Sequence, residues 1–227
     1  MRLKQLHPWS VTLEEAEAIQ RRLASEVLFT NGVVEKVRCV AGVDISGVRD
    51  EGMALGAVVA LSYPSMEVME VRVARAEPGM AYVPGFLSFR EVPVLAKALE
   101  ALSVQPDLMM VDGQGYAHPR RLGIACHLGL MTSLPTIGCA KSVLCGRYGD
   151  LDVEVGATSP LIHRSEVVGV ALRTRAGVSP MIVSAGHRVD LESSIQWVME
   201  SCRGYRMPEP TRLAHKAASG TLKAALI

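Results

Sequence analysis

The stretch "DLMMVDGQGYAHPRRLGIACHLGLMTSLPTIGCA" (residues 107–140) decides the fold. It opens with a short apolar run, 107–112, of the kind that forms a buried strand. The segment 118–134 then has a helical pattern, with Pro119 in its first turn. A second strand-like run follows at 135–140. Strand, helix and strand in succession indicate an α/β architecture.

The flanking sequence extends this pattern in both directions. A capping box, Thr12 to Glu15, predicts a helix over 12–28, and Ser88 and Glu91 match a second capping box, although Pro93 favours a kink or a later start. Further helices are predicted at 190–202, with Asp190 as cap, and at 208–219. Further strands are predicted at 38–46, 54–61, 69–75, 152–157 ("DVEVGA"), 166–174 and 180–186. We therefore expect a single domain over 1–227, with a central mixed β-sheet flanked by helices.

The composition is that of an ordinary globular protein. Hydrophobic residues make up 49% of the 227 residues and charged residues 21%. No apolar run approaches the ~20 residues that span a bilayer, and the N-terminus lacks the apolar core of a signal peptide. The five cysteines are scattered without a CxxC motif, which favours reduced core thiols. We expect a cytoplasmic protein with no membrane partner.

The charge is unevenly distributed although the net charge is only +1. Residues 113–149 contain four basic side chains and no acidic one, and residues 201–227 contain five basic side chains against Glu209. Two such stretches are typical of a local anion-binding face. The alternative is that both are solvated surfaces.

Asp44 and Asp112 share one setting. Each ends a buried-looking apolar run and precedes small, turn-tolerant residues. Ligands bind at the carboxyl ends of strands in α/β sheets, and two neighbouring aspartates repel each other unless a cation lies between them. The sequence thus leaves two interpretations open, a divalent metal site or turn and capping roles.

Three other polar residues have two interpretations each. Glu91 is either a capping glutamate or a third acidic ligand, and His215 is either a surface residue or a site residue. Lys141 follows a buried strand, where it is either solvated or positioned to stabilise a charged transition state. The glycines of "DGQGYAHPRRLG" (112–123) match neither a P-loop nor GxGxxG, but they suit close approach of backbone to a phosphate.

Five segments carry a family resemblance. "VAGVDIS" (40–46), "YVPGFLSFRE" (82–91), "VDGQGYAHPRRLGIACHLG" (111–129), "PTIGCAKS" (135–142) and "MPEPTRLAH" (207–215) occur in an order and spacing that resemble the endonuclease V family over residues 6–217. The resemblance implies a ribonuclease H-like fold. It also implies Mg²⁺-dependent nicking of DNA containing deoxyinosine at the second phosphodiester 3′ to the lesion, leaving a 3′-hydroxyl and a 5′-phosphate, with Mn²⁺ as a substitute ion.

The resemblance also implies roles for individual residues. Asp44, Asp112 and Glu91 match the metal-binding acidic residues, and Lys141 and His215 match residues lining the scissile phosphate. Tyr82 matches a tyrosine wedge that enters the duplex, although this chain has Ala81 where the family typically has proline. We assign further nucleic-acid contacts to positions near these motifs: Pro84, Gly85, Gly113, His118, Gly138 and Ser142. The helix cap Ser88 would direct Glu91 toward the two aspartates.

Other functions remain open at this point. A non-catalytic nucleic-acid binder on the same fold would usually have lost one acidic residue, whereas this chain keeps all three. A ribonuclease H-type or resolvase-type nuclease would lack the tyrosine wedge. Some family members prefer inosine in RNA, so the substrate is single- or double-stranded DNA, or RNA, containing the deaminated base. We expect the protein to act as a monomer.

Overall fold

The protein forms a nine-stranded sheet with five helices within the residues that the computed structural model describes, 1–30, 32–47, 52–223 and 225–226. The helices are α1 (Leu13–Ala24), α2 (Leu87–Glu100), α3 (Ile124–Thr132), α4 (Leu191–Glu200) and α5 (Glu209–Ala218). The strands are β1 (Cys39–Ser46), β2 (Ala54–Ser62), β3 (Val68–Ala76), β4 (Leu108–Val111), β5 (Thr136–Ala140), β6 (Thr158–His163), β7 (Glu166–Leu172), β8 (Met181–His187) and β9 (Ala225–Leu226). None of these described helices combines the length and the hydropathy needed to cross a membrane.

The sheet is mixed, as the sequence predicts. The strand order is β6-β7-β8-β5-β4-β1-β2-β3-β9. The central strands β1, β4 and β5 are parallel, whereas β2 and β8, which flank them, run antiparallel to their neighbours in the centre. The carboxyl ends of β1, β4 and β5 therefore meet at one edge of the sheet.

Helices cover both faces because the central strands alternate between two apolar clusters. On β1, Ala41 and Val43 pack with residues of α2 and α3, whereas Val40 packs with residues of α4. On β2, Val58 contacts the first cluster, whereas Val59 packs with residues of α5. Burial on both faces explains why these strands are near-continuous apolar runs in the sequence.

One predicted helix end and one predicted helix start need correction. Thr12 and Glu15 form the expected capping box of α1, which ends at Ala24 rather than at residue 28. Ser88 does not cap α2, because this helix already begins at Leu87, and no side chain caps its first turn. Pro93 is accommodated inside α2.

The helix α3 is shorter than predicted. It begins at Ile124 instead of residue 118, because residues 118–121 form a turn in which Arg121 has a φ of 60° and donates its N–H to the His118 carbonyl. A left-handed residue cannot continue into a right-handed helix, so the helix starts after it. Of the residues in this turn, His118 lines the site described below.

The strand predicted at 152–157 is wrong. Val153 and Val155 alternate as strand residues do, but their side chains are 75% and 54% exposed, and Gly156 has a φ of 95° typical of a turn. The strand at this point is β6, which contains Pro160. A proline is tolerated there because β6 lies at the edge of the sheet.

A buried histidine pair joins the N-terminal segment to α3. His7 Nδ1 lies 2.7 Å from the Pro8 carbonyl, so it carries the proton, and its bare Nε2 accepts the N–H of His127 Nε2 at 2.8 Å. His127 Nδ1 is then a buried atom without a partner. Burial, followed by the proximity of His7, lowers the pKa of His127 to about 3.

Replacement of His127 by Gln should remove a pH-dependent part of the stability. Because the folded pKa lies below the unfolded value of 6.5, the unfolded chain takes up a proton first, and stability is lost as the pH falls below about 6.5. Urea unfolding should show the wild type losing about 2 kcal/mol more than His127→Gln between pH 7 and pH 5. Parallel losses in the two proteins would contradict the neutral pair.

Candidate active site

Asp44 and Asp112 lie side by side at the carboxyl edge of the sheet. Val43 of β1 is in register with Val111 of β4, and the Asp112 N–H donates to the Val43 carbonyl at 2.9 Å. The residue after each valine is an aspartate, and adjacent strands are separated by only about 4.8 Å. Both carboxylates are largely buried, with side-chain exposures of 7% and 9%. The backbone register alone therefore forces two acidic groups together.

Two basic side chains from distant parts of the chain reach this pair. Lys141, directly after β5, places its Nζ 2.5 Å from Asp112 Oδ2. His215 of α5 places its Nδ1 2.8 Å from Asp44 Oδ2, and since a carboxylate accepts, the ring donates. Arg206 fixes the backbone of Lys141, because its guanidinium donates to the Lys141 carbonyl at 2.6 Å.

The helix α5 can approach Asp44 because the strand that it packs against, β1, has a glycine at position 42. A Cβ on Gly42 would lie 1.8 Å from the Pro210 carbonyl oxygen, which no real contact allows. Gly42 and Asp44 lie two residues apart and so share one face of the strand. The missing side chain at Gly42 lets the first turn of α5 lie against β1, and His215 then extends over Asp44.

The electrostatics of the site disfavour ionised carboxylates. Burial, and then the charge of Asp112, raise the pKa of Asp44 to about 6, against the opposing effects of His215 and Lys141. Burial, and then the charge of Asp44, raise the pKa of Glu91 to about 8, although Arg90 opposes this shift. Glu91 lies on α2, and the charges of both aspartates act on it.

The donor set fits a divalent cation. Asp44, Asp112 and His215 each offer one ligand atom, and these atoms all lie within 4.8 Å of one another. Buried carboxylates that repel each other are stabilised by a cation between them. His215 thus joins the candidate ligands, whereas the sequence assigns it to the phosphate. Glu91 is outside this close set among the described residues, although the charges of Asp44 and Asp112 reach it.

A cavity of about 390 Å³ opens beside the carboxylates. Its wall includes Asp112 and Lys141, so the cavity and the acidic pair form one site. Four residues that the sequence assigns to nucleic-acid contact lie on the same wall: Gly85, Gly113, His118 and Ser142. Tyr82 also lines the cavity, with its side chain 65% exposed, and Pro84 is exposed on the same turn.

Two of the residues predicted to contact nucleic acid, His118 and Gly138, have a structural role in this fold. His118 is 3% exposed: its Nδ1 accepts the Arg120 N–H at 3.1 Å and its Nε2 donates to the Gly85 carbonyl at 3.0 Å. Burial, and then Arg120, lower the pKa of His118 to about 4. A Cβ on Gly138 would meet the Gly115 nitrogen at 2.3 Å, so this glycine allows the 113–115 loop to pack on β5.

Two polar residues at or next to the site were not predicted from the sequence. Gln114 lines the cavity and donates from Nε2 to the Ser142 carbonyl at 2.8 Å. Gln20 is buried beside Gly85, although α1 is remote in sequence. The available signal was a polar residue at a core-facing position of α1, between Ala16 and Leu23.

Paired carboxylates at the ends of β1 and β4, beside Lys141 and His215, suit metal-assisted hydrolysis of a phosphodiester. Together with the mixed sheet and the adjoining cavity, they place the protein in the class of nucleases with a ribonuclease H-like fold. The sequence model of the Endonuclease V family matches residues 21–216. The chain belongs to the endonuclease V family, and it is an endonuclease.

Individual relatives agree with this assignment. The endonuclease V of Roseiflexus castenholzii is 53% identical over 213 residues, which cover 94% of this chain and 95% of the relative. The crystal structure of the Streptomyces avermitilis endonuclease V is 40% identical, with a TM-score of 0.88 and 93% of each chain covered. The Ciona intestinalis endonuclease V, in complex with a 24mer DNA containing an inosine followed by a ribo-adenosine, has a TM-score of 0.80 at 26% identity, covering 92% of this chain and 96% of that one.

Replacement of Gly42 by Ala should displace α5 and destabilise the protein. The added methyl group meets the Pro210 carbonyl, and overpacking of this kind typically costs about 1–3 kcal/mol. Gly47→Ala is the matched control, because a Cβ there meets nothing within 4 Å. Urea unfolding should separate the two variants, and equal stability would contradict the close approach of α5 to β1.

Proposed function

We propose that this endonuclease recognises deaminated bases in nucleic acid, chiefly deoxyinosine in DNA, and hydrolyses the strand beside them. The cut falls at the second phosphodiester 3′ to the lesion and leaves a 3′-hydroxyl and a 5′-phosphate. The observation that carries the proposal is the junction of the carboxylate pair with a cavity whose wall shares Asp112 and Lys141. A cavity of about 390 Å³ is of the size that small organic ligands occupy, and an extruded purine is such a ligand.

Asp44, Asp112 and Glu91 would hold Mg²⁺, or Mn²⁺ in its place, with His215 beside them. A bound ion of this kind supplies Lewis acidity toward the phosphate and lowers the pKa of water. Lys141 provides a fixed positive charge next to Asp112, where it offsets charge developing on the phosphate. His215 donates from Nδ1 to Asp44, which leaves its Nε2 to hold or accept a proton near the reacting oxygens.

Tyr82 would act as the wedge that fills the gap left by the extruded base. An aromatic side chain that is 65% exposed on a turn has no packing role there, and aromatic or apolar wedges stack between bases. Phe86 and Phe89, by contrast, are 8% and 0% exposed and anchor the turn to the core. Inosine pairs are easier to open than normal pairs, so the wedge and the cavity together select the lesion.

Addition of Mg²⁺ should stabilise the folded protein through the acidic pair. At a concentration 100 times its Kd, a bound ion adds about 2.7 kcal/mol to the free energy of unfolding. Asp112→Asn should abolish this gain and leave the stability in EDTA undiminished, because it removes one of the two repelling charges. Asp150→Asn, an exposed aspartate outside the site, should respond to Mg²⁺ like the wild type. A full Mg²⁺ response in Asp112→Asn would rule out the site.

A nicking assay with Mg²⁺ tests the activity directly. It compares duplex DNA and single-stranded DNA that contain one inosine, inosine-containing RNA, and unmodified duplex DNA. The proposal predicts cutting of the inosine DNA substrates at the stated bond, while the unmodified duplex stays intact. Preferential cutting of the RNA would instead assign the enzyme to inosine in RNA, and equal cutting of all substrates would remove the repair function.

Asp44→Ala should lower the cleavage rate on the order of a thousandfold while keeping inosine-dependent binding, since the cavity and the turn of Tyr82 are intact. The binding is measured by fluorescence anisotropy of a labelled inosine duplex. Asp150→Asn again serves as the control with wild-type activity. Cleavage at the wild-type rate in Asp44→Ala would show that the chemistry lies elsewhere.

A further inference from the structure

The carbonyl of Gly85 accepts three hydrogen bonds from outside its own segment. Gln20 Nε2 donates to it at 2.9 Å, His118 Nε2 at 3.0 Å and Arg120 Nη2 at 2.7 Å. A carbonyl oxygen has two lone pairs, so three donors exceed what its own burial requires. Gly85 itself has a φ of 81°, a conformation that favours glycine. We call these three donors the Gly85 clamp.

Gln20 connects the other members of the clamp. Its side chain is 1% exposed, and its Oε1 accepts the Nε–H of Arg120 at 2.5 Å while its Nε2 bonds Gly85. Both ends of the amide are therefore used, which fixes its orientation. The guanidinium of Arg120 lies 4.2 Å over the ring of Phe86, the residue after Gly85. A buried, fully bonded network of this kind holds one conformation.

The clamp is one of two anchors of the turn that presents Tyr82. At the other end, the Arg90 guanidinium donates to the Met80 carbonyl at 2.8 Å, and the Gly79 N–H donates to the Arg90 carbonyl at 2.8 Å. Tyr82 lies between these anchors with its side chain in solvent. An exposed side chain on a short span with both ends fixed has a defined direction, which a loose loop would not give it.

We infer that Gln20 is a positioning residue for recognition of the lesion in duplex nucleic acid: through the Gly85 clamp it fixes the turn that carries Tyr82. This inference rests on the proposed function. It assigns α1 a part in substrate recognition, although no residue of that helix lines the cavity. The preorganised turn avoids the entropic cost of ordering Tyr82 when the duplex is engaged.

The test compares Gln20→Met with wild type on two inosine substrates. Methionine keeps the length and the helix propensity of Gln but removes both hydrogen bonds. For duplex DNA, kcat/KM should fall about tenfold. This is the size of effect expected when a buried hydrogen bond that positions a recognition residue is lost. For single-stranded DNA, it should fall less than about threefold, because there is no duplex to open. Gln196→Met, the same change on the exposed face of α4, should behave as wild type on both.

Two further measurements separate positioning from general stability. In a Tyr82→Ala background, Gln20→Met should cause no additional loss on the duplex, because the residue it positions is gone. Hydrogen exchange should rise at the Phe86 amide, which bonds the Val83 carbonyl at 3.0 Å, and stay unchanged in β4 and β5. An equal loss on both substrates, an additive loss in the double variant, or unchanged exchange at Phe86 would overturn the inference.

The exchange measurement also separates a failure of the proposed function from a failure of the role inferred for Gln20. If the wild type cuts no inosine substrate, the proposed function fails and the assigned recognition role fails with it. A rise in exchange at Phe86 in Gln20→Met would then still identify the clamp as the device that orders the turn. If the wild type cuts inosine DNA but Gln20→Met matches it on the duplex, the proposed function stands and the inference alone fails.

Discussion

The repulsion between Asp44 and Asp112 is the constraint around which the site is organised. Parallel pairing of β1 with β4 puts the two carboxylates on adjacent strand ends, at a depth where water screens them poorly. Lys141 lies beside Asp112 and His215 beside Asp44, so each carboxylate has a basic side chain as a partner. The fold tolerates an unfavourable arrangement because the same arrangement suits a divalent cation and a phosphate. Stability is given up locally where chemistry requires it.

The surrounding scaffold converts that edge of the sheet into a specific site. The missing side chain of Gly42 admits α5, and Arg206 fixes the backbone that carries Lys141. The segment from Tyr82 to Glu91 contributes two site residues. Tyr82 is an exposed aromatic before α2, and Glu91 is an acidic residue four positions after the first residue of that helix. In the proposed function, one short stretch would couple the recognition of a base to the acidic centre. The Gly85 clamp holds that stretch from the N-terminal helix.

Many strands, helix caps and acidic residues of the site could be predicted from the sequence, because the patterns that specify them are local. Buried strands that end in aspartate, the Thr12 capping box and the Asp190 cap are patterns within a few residues of one another. The family motifs added the roles of Glu91, Lys141 and His215. The failures are also physical. Val153 and Val155 alternate like a strand but belong to none of the strands in the described part of the chain. Ser88 matches a cap that α2 does not use, since the helix begins one residue earlier. The Gly85 clamp joins residues 65 or more positions apart in the case of Gln20, and no local pattern specifies such a contact.

The central claim is that Asp44 and Asp112 share one divalent cation. A crystal grown with Mn²⁺ and measured at the manganese absorption edge tests it most directly, because the anomalous signal locates the ion without ambiguity about its identity. We expect an anomalous difference peak in contact with carboxylate oxygens of both aspartates, next to the cavity and within reach of His215. Saturating Mn²⁺ with no peak there, or a peak that contacts neither aspartate, would contradict it.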